Sequence, residues 1–176
     1  MTMDIEALNH ATPEAFVAAL AGIFEHSPWV AERVLAQRPF ASRDALHAAM
    51  CAAVHGAGPE LQLALIRAHP QLAGKAAVRG ELTAASTNEQ RGAGLDQCSP
   101  EEFAAITRLN GEYDARFGFP FILAVKGHTR DSIIANMRAR IGHDREAEIA
   151  EALRQIERIA RFRLTALLDD QTATRR

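Results

Sequence analysis

The 176-residue sequence has little that would cross-link it, anchor it in a membrane or draw it to a polyanion. Its two cysteines, Cys51 and Cys98, stand far apart, which excludes a disulfide framework and the paired spacing of a zinc site. The seven histidines are scattered, with no His-Glu-x-x-His pattern, so no metal is expected. No apolar run approaches the roughly 18 residues of a membrane-spanning helix. The first residues, Met1 to Glu6, have neither the basic nor the apolar region of a secretion signal. The expected compartment is therefore the cytoplasm. A net charge of −2 gives no basic excess for nucleic acid or an anionic membrane surface, and neither partner is expected.

What is present is ordinary globular composition, 48% hydrophobic and 24% charged. A chain of this length buries roughly 70% of its unfolded surface in one core, and no internal repeat divides it. Helix signals follow one another. Thr12-Pro13 opens a helix with Phe16, Leu20, Ile23 and Phe24 on one stripe. Ser27-Pro28 opens a second, Ser42 caps a third that ends at Gly56 and Gly58, and Pro59 begins a fourth that ends before Pro70. Residues 71–98 are rich in alanine and glycine and predict a long surface connection with one short helix. Ser99-Pro100-Glu101-Glu102 is a capping box, followed at helical spacing by Phe103, Ile106, Leu109, Tyr113 and Phe117. Residues about 118–125 predict a buried extended segment with no strand to pair with. Thr129 starts another helix, closed by Gly142, and a long one covers roughly residues 144–168. The expected fold is all-α: a single-domain compact bundle of about eight helices. It occupies residues 1–176, with its core at about 8–168 and a frayed tail at 169–176.

Several residues could carry chemistry. In the last helix Ile149, Leu153, Ile156, Ala160 and Leu167 form an apolar stripe with one gap, and Arg163 falls in it. A guanidinium facing inward must meet an anion, either an internal carboxylate or a bound ligand. His69 stands where a helix ends. It is either a histidine placed favourably for the helix dipole or a general acid–base group. Ser86 and Glu89 have the spacing of a second capping box, and with Thr87, Asn88 and Gln90 they form a polar cluster that could serve a ligand instead. Phe121 to Val125 would ordinarily be core.

These pieces occur in one order and spacing. His69-Pro70-x-Leu72-Ala73, Ser86-x-x-Glu89-Gln90 and Phe117-Gly118-Phe119-Pro120-Phe121-Ile122 are joined by Phe24-Glu25-His26-Ser27-Pro28-Trp29-Val30 and Ile159-Ala160-Arg161-Phe162-Arg163-Leu164. Together they resemble the 2-oxo-4-hydroxy-4-carboxy-5-ureidoimidazoline (OHCU) decarboxylase family, over about residues 8 to 168. Gln71 replaces that family's usual aspartate after the His-Pro pair. The resemblance implies an all-helical enzyme without cofactor, commonly a homodimer, that releases carbon dioxide from OHCU and yields (S)-allantoin in urate breakdown. It implies that His69 donates the proton, with Glu89 beside it. Pro70, Ser86, Thr87, Asn88, Glu89, Gln90, Phe121, Ile122, Leu123, Ala124, Val125 and Arg163 would line the substrate pocket.

The residue types suit that chemistry. The carboxylate of OHCU sits on a carbon next to an imine-like ring carbon, so the bonding electrons have somewhere to go without an organic electron sink. The protein has to hold an anion, polarise a ring and deliver one proton. Two rivals stay open: a non-catalytic helical ligand-binding module, and a hydrolase of a related ureido compound in which His69 activates water.

Overall fold

A computed structural model of the chain describes residues 3–168, and the tail expected at 169–176 lies outside the described residues. Among the described residues ten α-helices and two short 3-10 turns follow one another. Among the described residues no strand forms beyond an isolated bridge between Met3 and Leu168, and no helix is long and apolar enough to cross a membrane. The all-α class expected from the sequence holds. The described residues fall into two compact units, one of residues 3–65 with 157–168, the other of residues 66–156.

The first unit begins with α1 (Ile5–His10), which the stripes and caps did not reveal; the Asp4 carboxylate accepts from the Ala7 N–H and starts it. In α2 (Pro13–Leu20) Thr12 caps and Pro13 takes the first turn, as expected. The helix stops at Leu20, so Ile23 and Phe24 are buried from the turns that follow. α3 (Trp29–Val34) opens at Pro28, and Ser27 does not cap it. The Ser27 hydroxyl donates to the Glu25 carbonyl instead, at 2.9 Å. Ser42 caps α4 (Arg43–His55), which Gly56 closes. Leu8, Phe16, Leu20, Val30, Leu46 and Met50 fill the interior. Arg38 closes α1 from outside: its Nη1 donates to the carbonyls of Leu8, Asn9 and Ala11 at 3.1, 3.3 and 2.6 Å. Helix ends leave such carbonyls unsatisfied, and a cation suits the negative end of the dipole. The division between the units falls inside α5 (Pro59–Ala68).

The second unit corrects the reading of residues 71–98. That connection contains α6 (Lys75–Val78), α7 (Ala84–Gly92) and a 3-10 turn, Leu95–Gln97, and it buries Leu72, Ala73, Ser86, Gln90 and Leu95. Alanine has high helix propensity even where few large side chains exist to make a stripe, which is why the periodicity indicated only one short helix here. α8 (Pro100–Phe117) has both halves of the expected Ser99–Glu102 capping box. Its buried stripe is Ile106, Leu109, Tyr113 and Phe117, while Phe103 is 41% exposed and stands outside it. Gly118, at φ +76°, ends the helix in the left-handed conformation that glycine tolerates best. Thr129 and Ser132 cap α9 (Arg130–Ile141), and the chain closes with α10 (Arg145–Leu167), within which the units divide again.

An aromatic cluster and a buried ion pair form the centre of this unit. The Tyr113 ring lies 4.6, 5.9 and 5.4 Å from those of Phe117, Phe119 and Phe121. Arg140 and Glu148, 5% and 0% exposed, pair at 2.9 Å. The Tyr113 hydroxyl donates to the same carboxylate at 2.6 Å. Burial first, and then that bond to Glu148, push the Tyr113 pKa well above its ordinary value, so the hydroxyl stays a donor. The Arg140 guanidinium stacks 4.4 Å from the Phe121 ring centre. Arg140→Met leaves the buried Glu148 carboxylate with only the Tyr113 hydroxyl and the His143 ring as partners and should cost about 3–5 kcal/mol, the usual loss when one member of a buried pair is removed. Adding Glu148→Leu should recover part of it. Urea unfolding followed by helical circular dichroism measures both, and an Arg140→Met protein as stable as the parent would contradict this picture.

Candidate active site

His69 follows the last residue of α5, as the sequence indicated. Its N–H donates to the Ile66 carbonyl at 3.2 Å and its side chain is buried. Pro70 then ends any helical continuation. The next four residues make a tight turn: Ala73 is left-handed at φ +48°, and a Cβ on Gly74 would come within 2.8 Å of the Gln71 Cβ. A non-glycine residue in that region is strained and persists only where its surroundings hold it. They do. Gln90 Oε1 accepts from the Ala73 N–H at 2.9 Å, and its Nε2 donates to the Gln71 carbonyl at 3.3 Å. Asn110 Nδ2, from α8, donates to the Leu72 carbonyl at 2.9 Å.

In α7 the cap is Thr83, whose hydroxyl accepts from the Ser86 N–H. The capping-box reading of Ser86 and Glu89 is thereby overturned, since both lie inside the helix. Residues three and four apart share a helix face, and Ser86 and Gln90 are buried there with Glu89 half-buried between them. Thr87 is half-buried beside them, while the Asn88 side chain is exposed on the opposite side. A cleft of about 590 Å³ touches this helix at Thr87 and Gln90, with Ala73, Cys98 and Phe103 also in its wall. Neither His69 nor Phe121 to Val125 contributes to that wall.

The extended segment is buried throughout from Phe121 to Val125 and has no strand partner among the described residues. It starts after the exposed Gly118, slightly later than expected. Side chains supply the pairing that a sheet would have given. Arg140 Nη1 donates to the Ile122 carbonyl at 2.6 Å, and Gln155 Oε1 accepts from the Ala124 N–H at 3.0 Å. Gln155 is itself held by Glu151 at 2.8 Å. A trans peptide is planar, so fixing the Ile122 carbonyl also aims the Leu123 N–H the opposite way, away from Arg140.

Arg163 belongs to the first unit. It is buried, as the stripe predicted, while Arg154, Arg158 and Arg161 are exposed. Its Nη1 lies 2.7 Å from the Glu25 carboxylate, whose side chain is 1% exposed, and donates to the Gly22 carbonyl at 3.0 Å. Of the two partners left open for this charge, the internal carboxylate is present. Burial, and then the nearby Glu157 carboxylate, push the Cys51 thiol up to about 12, and burial raises Cys98, so both favour the protonated thiol.

The second unit therefore carries His69, Pro70, the Ser86–Gln90 face and Phe121 to Val125, with Gln90 directly linked to the turn after His69. Sequence reasoning missed Arg140, Gln155 and Asn110. Their signal was available, because each is a polar residue at helical spacing within a buried stripe, the pattern that singled out Arg163.

The sequence model of the OHCU decarboxylase family matches residues 9–165. A 2-oxo-4-hydroxy-4-carboxy-5-ureidoimidazoline decarboxylase of Haloferax volcanii is 44% identical over 162 residues, 92% of this chain and 94% of that protein. The uric acid degradation bifunctional protein PucL of Bacillus subtilis is 43% identical over 98% of this chain, which spans 34% of that longer protein. A crystal structure of (S)-allantoin synthase matches with a TM-score of 0.78 at 29% identity, over 95% of this chain and 55% of that one. With nearly its whole length matched, the chain belongs to the OHCU decarboxylase family.

Proposed function

We propose that this chain decarboxylates OHCU to (S)-allantoin, with residues 1–176 acting as one functional domain. The single observation that carries the proposal is the family match over residues 9–165, which runs through both compact units. The buried His69, held at the end of α5 beside a pinned turn, supports its assignment as the acid.

In the reaction the bond from the ring carbon to the carboxylate breaks and carbon dioxide leaves. The electron pair moves toward the neighbouring C–N unit. The carbon that lost the carboxylate, which also bears the hydroxyl, becomes a carbonyl as the hydroxyl gives up its proton, and one proton is added at the carbon bearing the ureido group. One OHCU carboxylate and one proton thus give one allantoin and one carbon dioxide. His69 is the proposed donor of that proton, kept oriented and charged by Glu89. Ser86, Thr87, Asn88, Gln90, Pro70 and the backbone of Phe121 to Val125 are the proposed substrate contacts, the Leu123 N–H being a donor that Arg140 aims. Arg163 is proposed, on the family resemblance, to hold an anionic group of the substrate. A cytoplasmic homodimer without cofactor, bound to neither nucleic acid nor membrane, completes the proposal, and the −2 net charge favours the last two points.

Carbon dioxide release from freshly generated OHCU tests the activity, and release of ammonia or a ring-opened product would favour the hydrolase rival. His69→Asn should stay folded, because a histidine at a helix end contributes little dipole energy, and should lose about two to four orders of magnitude in rate. Full activity would remove His69 from the mechanism. Glu89→Gln is more discriminating now that Thr83 is known to cap α7. Its melting temperature should hold within a few degrees, a change of about 1 kcal/mol, while turnover falls at least about a hundredfold. Wild-type turnover would leave Glu89 a helix residue and nothing more.

For Arg163 the Glu25 pairing sets the experiment. Arg163→Met alone leaves a buried carboxylate without that partner and should cost about 3–5 kcal/mol. Combined with Glu25→Gln, it should regain stability. If Arg163 binds substrate, the double variant should still turn over at least about tenfold more slowly. Near-normal turnover in a restabilised double variant would assign Arg163 a structural role only.

A further inference from the structure

Asn110 occupies a position of the α8 stripe, between Ile106 and Tyr113, where an apolar residue would be expected, and it is 4% exposed. Its Oδ1 is buried and has no hydrogen-bond partner among the described residues. An unsatisfied buried acceptor is costly, and a leucine of similar size would avoid it. The other half of the amide explains the residue: Nδ2 donates to the Leu72 carbonyl at 2.9 Å. Gln90 grips the residues on either side, at the Gln71 carbonyl and the Ala73 N–H. Three consecutive residues are therefore pinned by two buried amides, in a turn whose third residue sits at φ +48°.

That turn begins one proline after His69. Proline fixes its own φ and restricts the residue before it, so the backbone joining Gln71 to His69 has little freedom to absorb a displacement. Where the turn goes, the imidazole goes. We propose that Asn110 is a positioning residue, which holds the strained Gln71–Ala73 turn so that His69 presents its proton in one place. It acts through His69 and makes no contact with substrate. This rests on the assignment of His69 as the proton donor.

The strain at Ala73 provides the test. Without the Asn110 donor the turn relaxes toward negative φ, and His69 moves with it. A glycine at position 73 takes the left-handed conformation at little cost and keeps the turn in place without the clamp. Asn110→Leu should melt within a few degrees of the parent. Its kcat should fall at least about tenfold, with KM changed less than about twofold, because the loss lies in proton delivery and not in binding. With Ala73→Gly alone measured as the reference, Ala73→Gly added to Asn110→Leu should restore kcat at least about threefold relative to Asn110→Leu alone. If Asn110→Leu does not fold, Asn110→Ala with and without Ala73→Gly carries the same expectations. Wild-type kcat in the Asn110 variant, a KM rise matching the whole loss, or no recovery with Ala73→Gly would each overturn the proposal. His69→Asn, measured alongside, keeps the two failures apart. Full activity there removes the underlying assignment, whereas loss there with an unaffected Asn110→Leu overturns only the positioning role.

Discussion

Non-helical backbone buried inside a helical protein has to be hydrogen-bonded by side chains, and the second unit is organised around that constraint. Helices satisfy their own interior; an extended segment satisfies nothing by itself, and water is excluded from around it. Phe121 to Val125 and the Gln71–Ala73 turn are two such stretches. The first is met by Arg140 at the Ile122 carbonyl and Gln155 at the Ala124 N–H. The second is met by Gln90 and Asn110. Each partner must in turn be buried and held, which is why Glu148 and Tyr113 sit behind Arg140 and Glu151 behind Gln155. The same stretches carry or adjoin the proposed substrate contacts, so the scaffold that satisfies the backbone also fixes the groups presented to a ligand.

Each unit has a buried arginine–glutamate pair, Arg163–Glu25 in the first and Arg140–Glu148 in the second. In both, an arginine Nη1 also donates to a backbone carbonyl, of Gly22 and of Ile122. Buried pairs give little net stability compared with apolar packing, and breaking one is costly. Their value here is geometric. A guanidinium fixes a carboxylate and a carbonyl in one plane, and so ties a helix to an irregular stretch that no helix could hold.

The local part of this structure was legible from the sequence. Thr12, Ser42, Ser99 and Thr129 start helices where they were expected, because a cap depends only on the few residues that follow it. Arg163 was found buried because helical periodicity converts position into facing direction. Ser86 was misread because Thr83, three residues earlier, was available to cap instead, and short-range spacing cannot choose between two competent caps. α1 and one of the two helices within residues 71–98 escaped because short or alanine-rich helices carry almost no stripe. Which backbone group Arg140, Gln155 or Asn110 would meet was not legible at all, since those partners lie 18, 31 and 38 residues away. For the chemistry, ordered motifs over the whole chain carried more than any single residue.

The central claim is that the protein releases carbon dioxide from OHCU and places the replacing proton on one face of the ring. Its most direct test is to add the protein to freshly generated OHCU in deuterated water, following carbon dioxide, optical activity and the label at the ureido-bearing carbon together. The account predicts accelerated carbon dioxide release and optically active allantoin, a single enantiomer with one deuterium at that carbon. Racemic allantoin formed at the rate of the protein-free solution would contradict it.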